Sequence, residues 1–125
     1  MNKVLFYGMV VFYLVAGVNH FANPDFYFPL IPDYLPAPEF INAVSGLIEI
    51  GLAIGLVFRH TRKLAALGIV LMLLAFIPAH VHFIQAGHCV GSLCVPAWIG
   101  WARLLIIHPA LVLWAWTART FNEAE

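Results

Sequence analysis

The 125-residue sequence predicts an all-α fold: a four-helix transmembrane bundle with both termini in the cytoplasm and a proline-rich interfacial segment between helices 1 and 2. Three observations predict it. Hydrophobic residues make up 63% of the chain and charged residues 10%, against about 25% in a soluble domain, so lipid must cover the surface. Four apolar runs are each long enough to cross a bilayer at about 1.5 Å per residue. Lys3, Arg59, Arg62, Lys63 and Arg119 fall on one side of these runs, whereas the two opposite loops carry Asp25, Asp33 and no Lys or Arg. The positive-inside rule puts the basic side in the cytoplasm. The net charge is zero, which leaves no electrostatic footprint for nucleic acid, and residues 1–125 are expected to form a single domain.

Helix 1 is expected over Val4–Asn19. A signal peptide would have a similar charged and apolar start, but no A-x-A-like cleavage site follows, and the run ends in Asn19-His20-Phe21. Asn23–Pro38 then holds five of the eight prolines together with Phe26, Tyr27, Phe28 and Tyr34. Proline at that density opposes a helix or a central strand, and the aromatics oppose a freely solvated linker. The segment reads as a simple loop or as a lid lying at headgroup level. Helix 2 covers Glu39–Phe58, with Gly46, Gly51 and Gly55 available for close helix contact. Arg59–Lys63 makes a solvated basic turn. Helix 3 covers Leu64–Ala86 and should kink at Pro78 beside His80 and His82. Helix 4 covers Ala97–Arg119, with Trp98 and Trp101 towards one end and Trp114 and Trp116 towards the other, as an aromatic girdle requires.

The chemistry begins at Asn42, Ser45 and Glu49, which share one face of helix 2 at about 100° per residue and are surrounded by hydrocarbon. Glu49 falls near the middle of its span. An acid there is costly and marks a function, and Arg103 is its expected counter-ion. Counting along the helices puts His20 and His82 at the outer boundary, His80 and Arg103 a turn or two inside, and Glu49 with His108 deeper. A shared polar pocket opening outward is the simplest arrangement. Each histidine also has a plainer reading: His20 and His82 as headgroup contacts, and His108, before Pro109, as the partner of a freed carbonyl. A haem or metal ion is disfavoured, because His80-x-His82 does not put two imidazoles on one helical face. Cys89 and Cys94 lie in the outer loop, where a pair of cysteines is either a disulfide staple or, less often, a thiol-exchange site.

His20-Phe21, Pro24, Ile31-Pro32, Tyr34-Leu35-Pro36, Ser45-Gly46, Glu49-Ile50-Gly51, Pro78-Ala79 and Arg103-Leu104 together resemble the DoxX-like family of small bacterial membrane proteins, over residues 17–117. The resemblance implies a four-helix protein of the bacterial inner membrane. Some relatives serve a thiosulfate:quinone oxidoreductase and others membrane redox-stress complexes. The positions carried over are His20, Glu49, His82 and Arg103. Two departures fall in the pocket: His80 stands where the family usually has Asn, and Ile107 where a Gln is expected.

The expected function is therefore a quinone- or small-molecule-binding subunit of a membrane redox system. Glu49, Arg103 and His80 would act on the head group, and His20, Asn42, Ser45, His82 and His108 would bind it. No redox centre is evident on the chain, so a redox partner protein is expected besides the bilayer, and a second copy of the chain is a candidate partner. The rivals are a stand-alone acid–base enzyme on a lipophilic substrate and a non-catalytic assembly protein.

Overall fold

A computed structural model describes residues 1–124 and is mostly helical. Helix α1 (Lys3–Ala22) is capped by Asn2, whose side chain accepts a hydrogen bond from the Leu5 N–H at 2.9 Å. A short α2 (Pro24–Tyr27) runs into a 3₁₀ turn (Phe28–Leu30), and α3 spans Pro38–Val57. Next come α4 (Arg62–Ala75), α5 (Ile77–Gln85), a hairpin of β1 (Cys89–Val90) and β2 (Leu93–Cys94), α6 (Ala97–Ala102), a π turn (Arg103–Ile107) and α7 (His108–Ala118). Four helical stretches, Lys3–Ala22, Pro38–Val57, Arg62–Gln85 and Ala97–Ala118, are long and apolar enough to cross a membrane, the mark of a membrane protein.

The proline-rich segment departs from expectation. Proline is tolerated at a first helical position, where no N–H is needed, and Pro24 starts α2 there. The third span breaks at Phe76 rather than merely bending at Pro78. The Phe76 N–H is split between the Met72 and Leu73 carbonyls at 3.0 and 3.2 Å, since Pro78 can neither donate nor let the preceding turn close.

Each span packs antiparallel against the next in sequence, and the α1–α3 seam is the most extensive. Glycine makes that seam. A Cβ on Gly17 would lie 2.9 Å from the Gly46 carbonyl oxygen, and one on Gly46 would lie 2.9 Å from that of Gly17. Backbones approach this closely only where neither side carries a side chain. The Gly51–Gly55 pair does not work as one contact: a Cβ on Gly55 would meet Ala65, while one on Gly51 would meet nothing within 4 Å.

The tight core occupies one half of the molecule, where Phe6, Met9, Leu56, Ala66, Ile69 and Ala115 are fully buried. Arg62 closes that end. Read from sequence as part of a solvated turn, it is 4% exposed and begins α4. Its guanidinium donates to Leu56 O at 2.9 Å, Val57 O at 3.1 Å, Phe121 O at 3.4 Å and Glu123 Oε1 at 2.7 Å. It also stacks over the Phe6 and Phe121 rings. A chain turning back between helices exposes carbonyls, and the five-donor fork collects them. At the opposite end, Cys89 and Cys94 face each other across the hairpin and are bonded.

Gly17→Ala and Gly46→Ala are each expected to lower stability by about 1–3 kcal/mol through overpacking. Gly51→Ala should change it by less than about 0.5 kcal/mol. Thermal unfolding in detergent, followed by circular dichroism, checks this order.

Candidate functional site

The glycine seam brings three polar side chains of α1 and α3 together. Asn42 Nδ2 donates to the His20 carbonyl at 2.8 Å, which leaves Asn42 Oδ1 facing His20 Nδ1 at 2.6 Å. An amide oxygen only accepts, so His20 Nδ1–H is the donor and the imidazole tautomer is fixed. Its other nitrogen, Nε2, points at Glu49 Oε2 from 3.6 Å. All three residues are more than nine-tenths buried. Glu49 Oε2 has no hydrogen-bond partner, nor has the buried hydroxyl of Tyr13, one heptad before His20 on the same face of α1.

The His20 ring is held from the other side. Tyr27 of α2 stacks on it with ring centroids 3.8 Å apart and 17° between planes. Asn23 Nδ2 donates to Asn19 Oδ1, and Asn19 Nδ2 donates to the Tyr27 hydroxyl oxygen, both at 2.7 Å. That leaves the Tyr27 O–H free to donate. Burial raises its pKa above the ordinary tyrosine value, against the pull of the Asn19 bond, so it stays protonated.

A second set of groups comes from the third and fourth spans. The His108 N–H bonds the Arg103 carbonyl, five residues back. In a regular α-helix residues five apart lie about 140° round the axis, whereas a π turn closes over five residues and sets the two on one wall. His108 Nε2–H donates to Leu73 O at 2.6 Å, in the last turn before the break, and its ring meets His80 edge-on at 4.7 Å. The Arg103 guanidinium lies over the Phe83 ring, 4.9 Å from its centroid.

Between the two sets lies a cavity of about 310 Å³, the size of a small-ligand site. Its polar lining is Tyr13, His20, Tyr27, Asn42, Ser45 and Glu49 from one side and His80, Arg103 and His108 from the other. Apolar side chains from the spans fill the rest, and Leu30, Ile31, Pro32 and Leu35 of the proline-rich segment line it as well. Of the residues singled out from sequence, seven therefore share this cavity: Glu49, Arg103, His80, His20, Asn42, Ser45 and His108.

Two expectations fail. Arg103 is not the counter-ion of Glu49: the acid has His20 beside it, and the guanidinium rests on Phe83. Opposite charge in two spans does not set their separation, whereas a seam without Cβ atoms puts His20 next to α3. His82 is not on the cavity, because two residues along α5 from His80 rotates it by about 200°. Tyr13 and Tyr27 were missed. The heptad spacing from His20 could have exposed Tyr13; Tyr27 lay hidden among interfacial aromatics. Cys89 and Cys94 belong to the hairpin and do not line the cavity. Among the described residues, no three His, Cys, Asp or Glu side chains cluster as a metal site requires.

Residues 9–119 match the family described as a domain of unknown function (DUF8561), and the chain belongs to it. No curated protein and no solved structure matches.

His108→Phe leaves the Leu73 carbonyl without this donor and is expected to cost about 1–3 kcal/mol. His80→Phe keeps the ring contact and should cost less than about 1 kcal/mol. Scanning calorimetry of the two variants in one detergent tests the ranking.

Proposed function

We propose that this DUF8561 protein binds a quinone or quinol in the cavity and serves a membrane redox system as a DoxX-like subunit. The observation that carries the reading is the pair of buried, unpartnered groups, Tyr13 OH and Glu49 Oε2, on the wall of a largely apolar cavity. Buried polar atoms are almost always satisfied, so an occupant with hydrogen-bonding oxygens is the natural partner. Apolar walls suit a ring and its substituents. Tyr13 on one side and Arg103 or His80 on the other would donate to two separate oxygens of the occupant. A bound quinone supplies two-electron, two-proton redox chemistry, and the electrons come from a partner protein, since the chain carries no evident redox centre beyond its disulfide.

The four spans would then stand as a bundle in a bacterial inner membrane. Both termini and the basic α3–α4 turn would face the cytoplasm, and the proline-rich segment and hairpin would lie at the outer side. Support comes from Lys3, Arg59, Lys63 and Arg119 gathering at the Arg62 end, with Asp25 and Asp33 at the other. A second reading, an acid–base enzyme on a lipophilic substrate, is favoured by the closeness of His20 to Glu49. Turnover by the purified protein without any redox partner would select it.

Organic extraction of the detergent-purified protein should release a quinone, seen as an oxidised-minus-reduced ultraviolet difference spectrum. Ala79→Trp, which fills the cavity, should abolish it without shifting the unfolding temperature. Tyr13→Phe and Arg103→Leu should each weaken binding of an added short-chain benzoquinone roughly five- to tenfold, the equivalent of one hydrogen bond. An extract without quinoid absorbance, together with no binding of the added benzoquinone by the unaltered protein, overturns the reading.

A further inference from the structure

We propose that His20 and Glu49 form a dyad that holds one proton and exchanges it with an oxygen of the cavity's occupant, with Asn42 as the positioning residue that fixes how many protons the dyad can hold. The exchange rests on the cavity being the ligand site; the proton count does not.

The argument starts at Asn42. Its two bonds to His20, one given through Nδ2 and one received at Oδ1, can be satisfied together only with the amide in one orientation and His20 protonated at Nδ1. A neutral His20 therefore presents a bare lone pair at Nε2, and that lone pair points at Glu49 Oε2. Four protonation states are conceivable. With no proton between the two atoms, a lone pair opposes a carboxylate, and a buried negative charge stands without a partner. With a proton on each, a buried imidazolium stands beside a neutral acid, again with no counter-charge. With one proton, on Nε2 or on Oε2, the pair is neutral overall and the proton faces an acceptor atom 3.6 Å away. Desolvation penalises the first two states and spares the others. One proton is the stable load.

That proton has an outlet. Glu49 Oε2 has no partner in the protein and Glu49 lines the cavity, as does Tyr13 with its own unpartnered hydroxyl. The other titratable groups facing the cavity are Tyr27 on α2, His80 on α5, Arg103 in the π turn and His108 on α7. None of them reaches the dyad through a hydrogen bond or ion pair among the described residues. Tyr27 touches His20 only by stacking, and the Arg103 charge lies over Phe83. In the transfer, the N–H or O–H bond of the dyad breaks and an O–H bond forms on the occupant; no electron moves in this step. The dyad is left with one negative charge until it takes up a proton again.

The test reads the ligand-free protein first. Nitrogen-15 spectra of the histidines and the deuterium-sensitive carboxyl band in the infrared, both at neutral pH and assigned with Glu49→Gln, count the protons. The expected result is His20 protonated at Nδ1 with one further proton, on Nε2 or on Glu49. A bare Nδ1, or an ionised Glu49 beside an unprotonated Nε2, overturns the proposal. Asn42→Leu should release the tautomer, so that Nδ1 is no longer the protonated nitrogen throughout; an unchanged spectrum removes Asn42 from its role. With an added short-chain benzoquinone, Glu49→Gln keeps a donor for Nε2 and should weaken binding by less than about fivefold. The bound quinone's midpoint potential should nevertheless lose part of its pH dependence. An unaltered pH dependence in Glu49→Gln overturns the exchange, whereas failure of the unaltered protein to bind quinone defeats the ligand reading and leaves the proton count standing.

Discussion

Everything at the cavity depends on how closely α1 and α3 approach. Gly17 and Gly46 bring the two backbones together, and at that distance Asn42 reaches both the carbonyl and the ring of His20. Each bond contributes only about 1 kcal/mol net, but leaving a buried donor or acceptor unpaired costs more. A one-residue slip between the helices would strand every polar group on this seam. Its hydrogen bonds thus act more on register than on total stability. The same constraint orients His20 Nε2 towards Glu49, so helix packing and the chemistry of the site have one origin.

The molecule divides its tasks along its length. At the Arg62 end, small residues such as Ala53, Ala66 and Ala115 let the helices close on Phe6 and Ile69, and the guanidinium ties the α3–α4 turn to the C-terminal tail. Removing it would leave three carbonyls without this donor at the point where four chain segments meet. At the other end, the regular helices α1 and α3 form one side of the cavity, and three irregular stretches border the rest: the break at Phe76, the π turn at Arg103 and the proline-rich segment. Such departures free carbonyls, which cannot remain unpaired away from water. At the break His108 gives Leu73 O a second donor beside the shared Phe76 N–H, and the same turn that carries it carries Arg103. A π turn inside a helix often marks a functional site, and here it has a geometric reason: it puts residues 103 and 108 on one wall.

Much of this was legible in the sequence. Four apolar runs, polar residues on one face of the second and an acid in its middle are local patterns, and they led to seven of the cavity's polar residues. What failed was pairing across helices. Opposite sign made Arg103 the natural partner of Glu49, but sign carries no distance, and the seam that decides the matter is made of glycines that looked like one more small-residue pattern. Gly51-x-x-x-Gly55 had the better spacing and proved not to be the close contact. Arg62 looked like one more cation in a basic turn, because nothing local announces that a tail some sixty residues on returns to cover it. His82 fell out through backbone phase: once α5 starts afresh after Phe76, only one of the two nearby imidazoles can face inward.

The cover of the cavity follows from the same bookkeeping of donors. A stretch with little regular helix has N–H groups without helical partners, and four prolines between Asn23 and Ala37, together with Pro38, remove five such groups. Few anchors are then needed. Tyr27 stacks on His20 and takes the Asn19 bond, and the hairpin closed by Cys89–Cys94 leans its tip, Gly91, on Pro29. One ring thus serves two purposes. His20 is the surface on which the cover rests and the imidazole that faces Glu49, so any movement of the cover that breaks the stack also changes the surroundings of the group beside the acid. If the dyad holds its proton as proposed, the Tyr27 stack and that proton meet at a single imidazole.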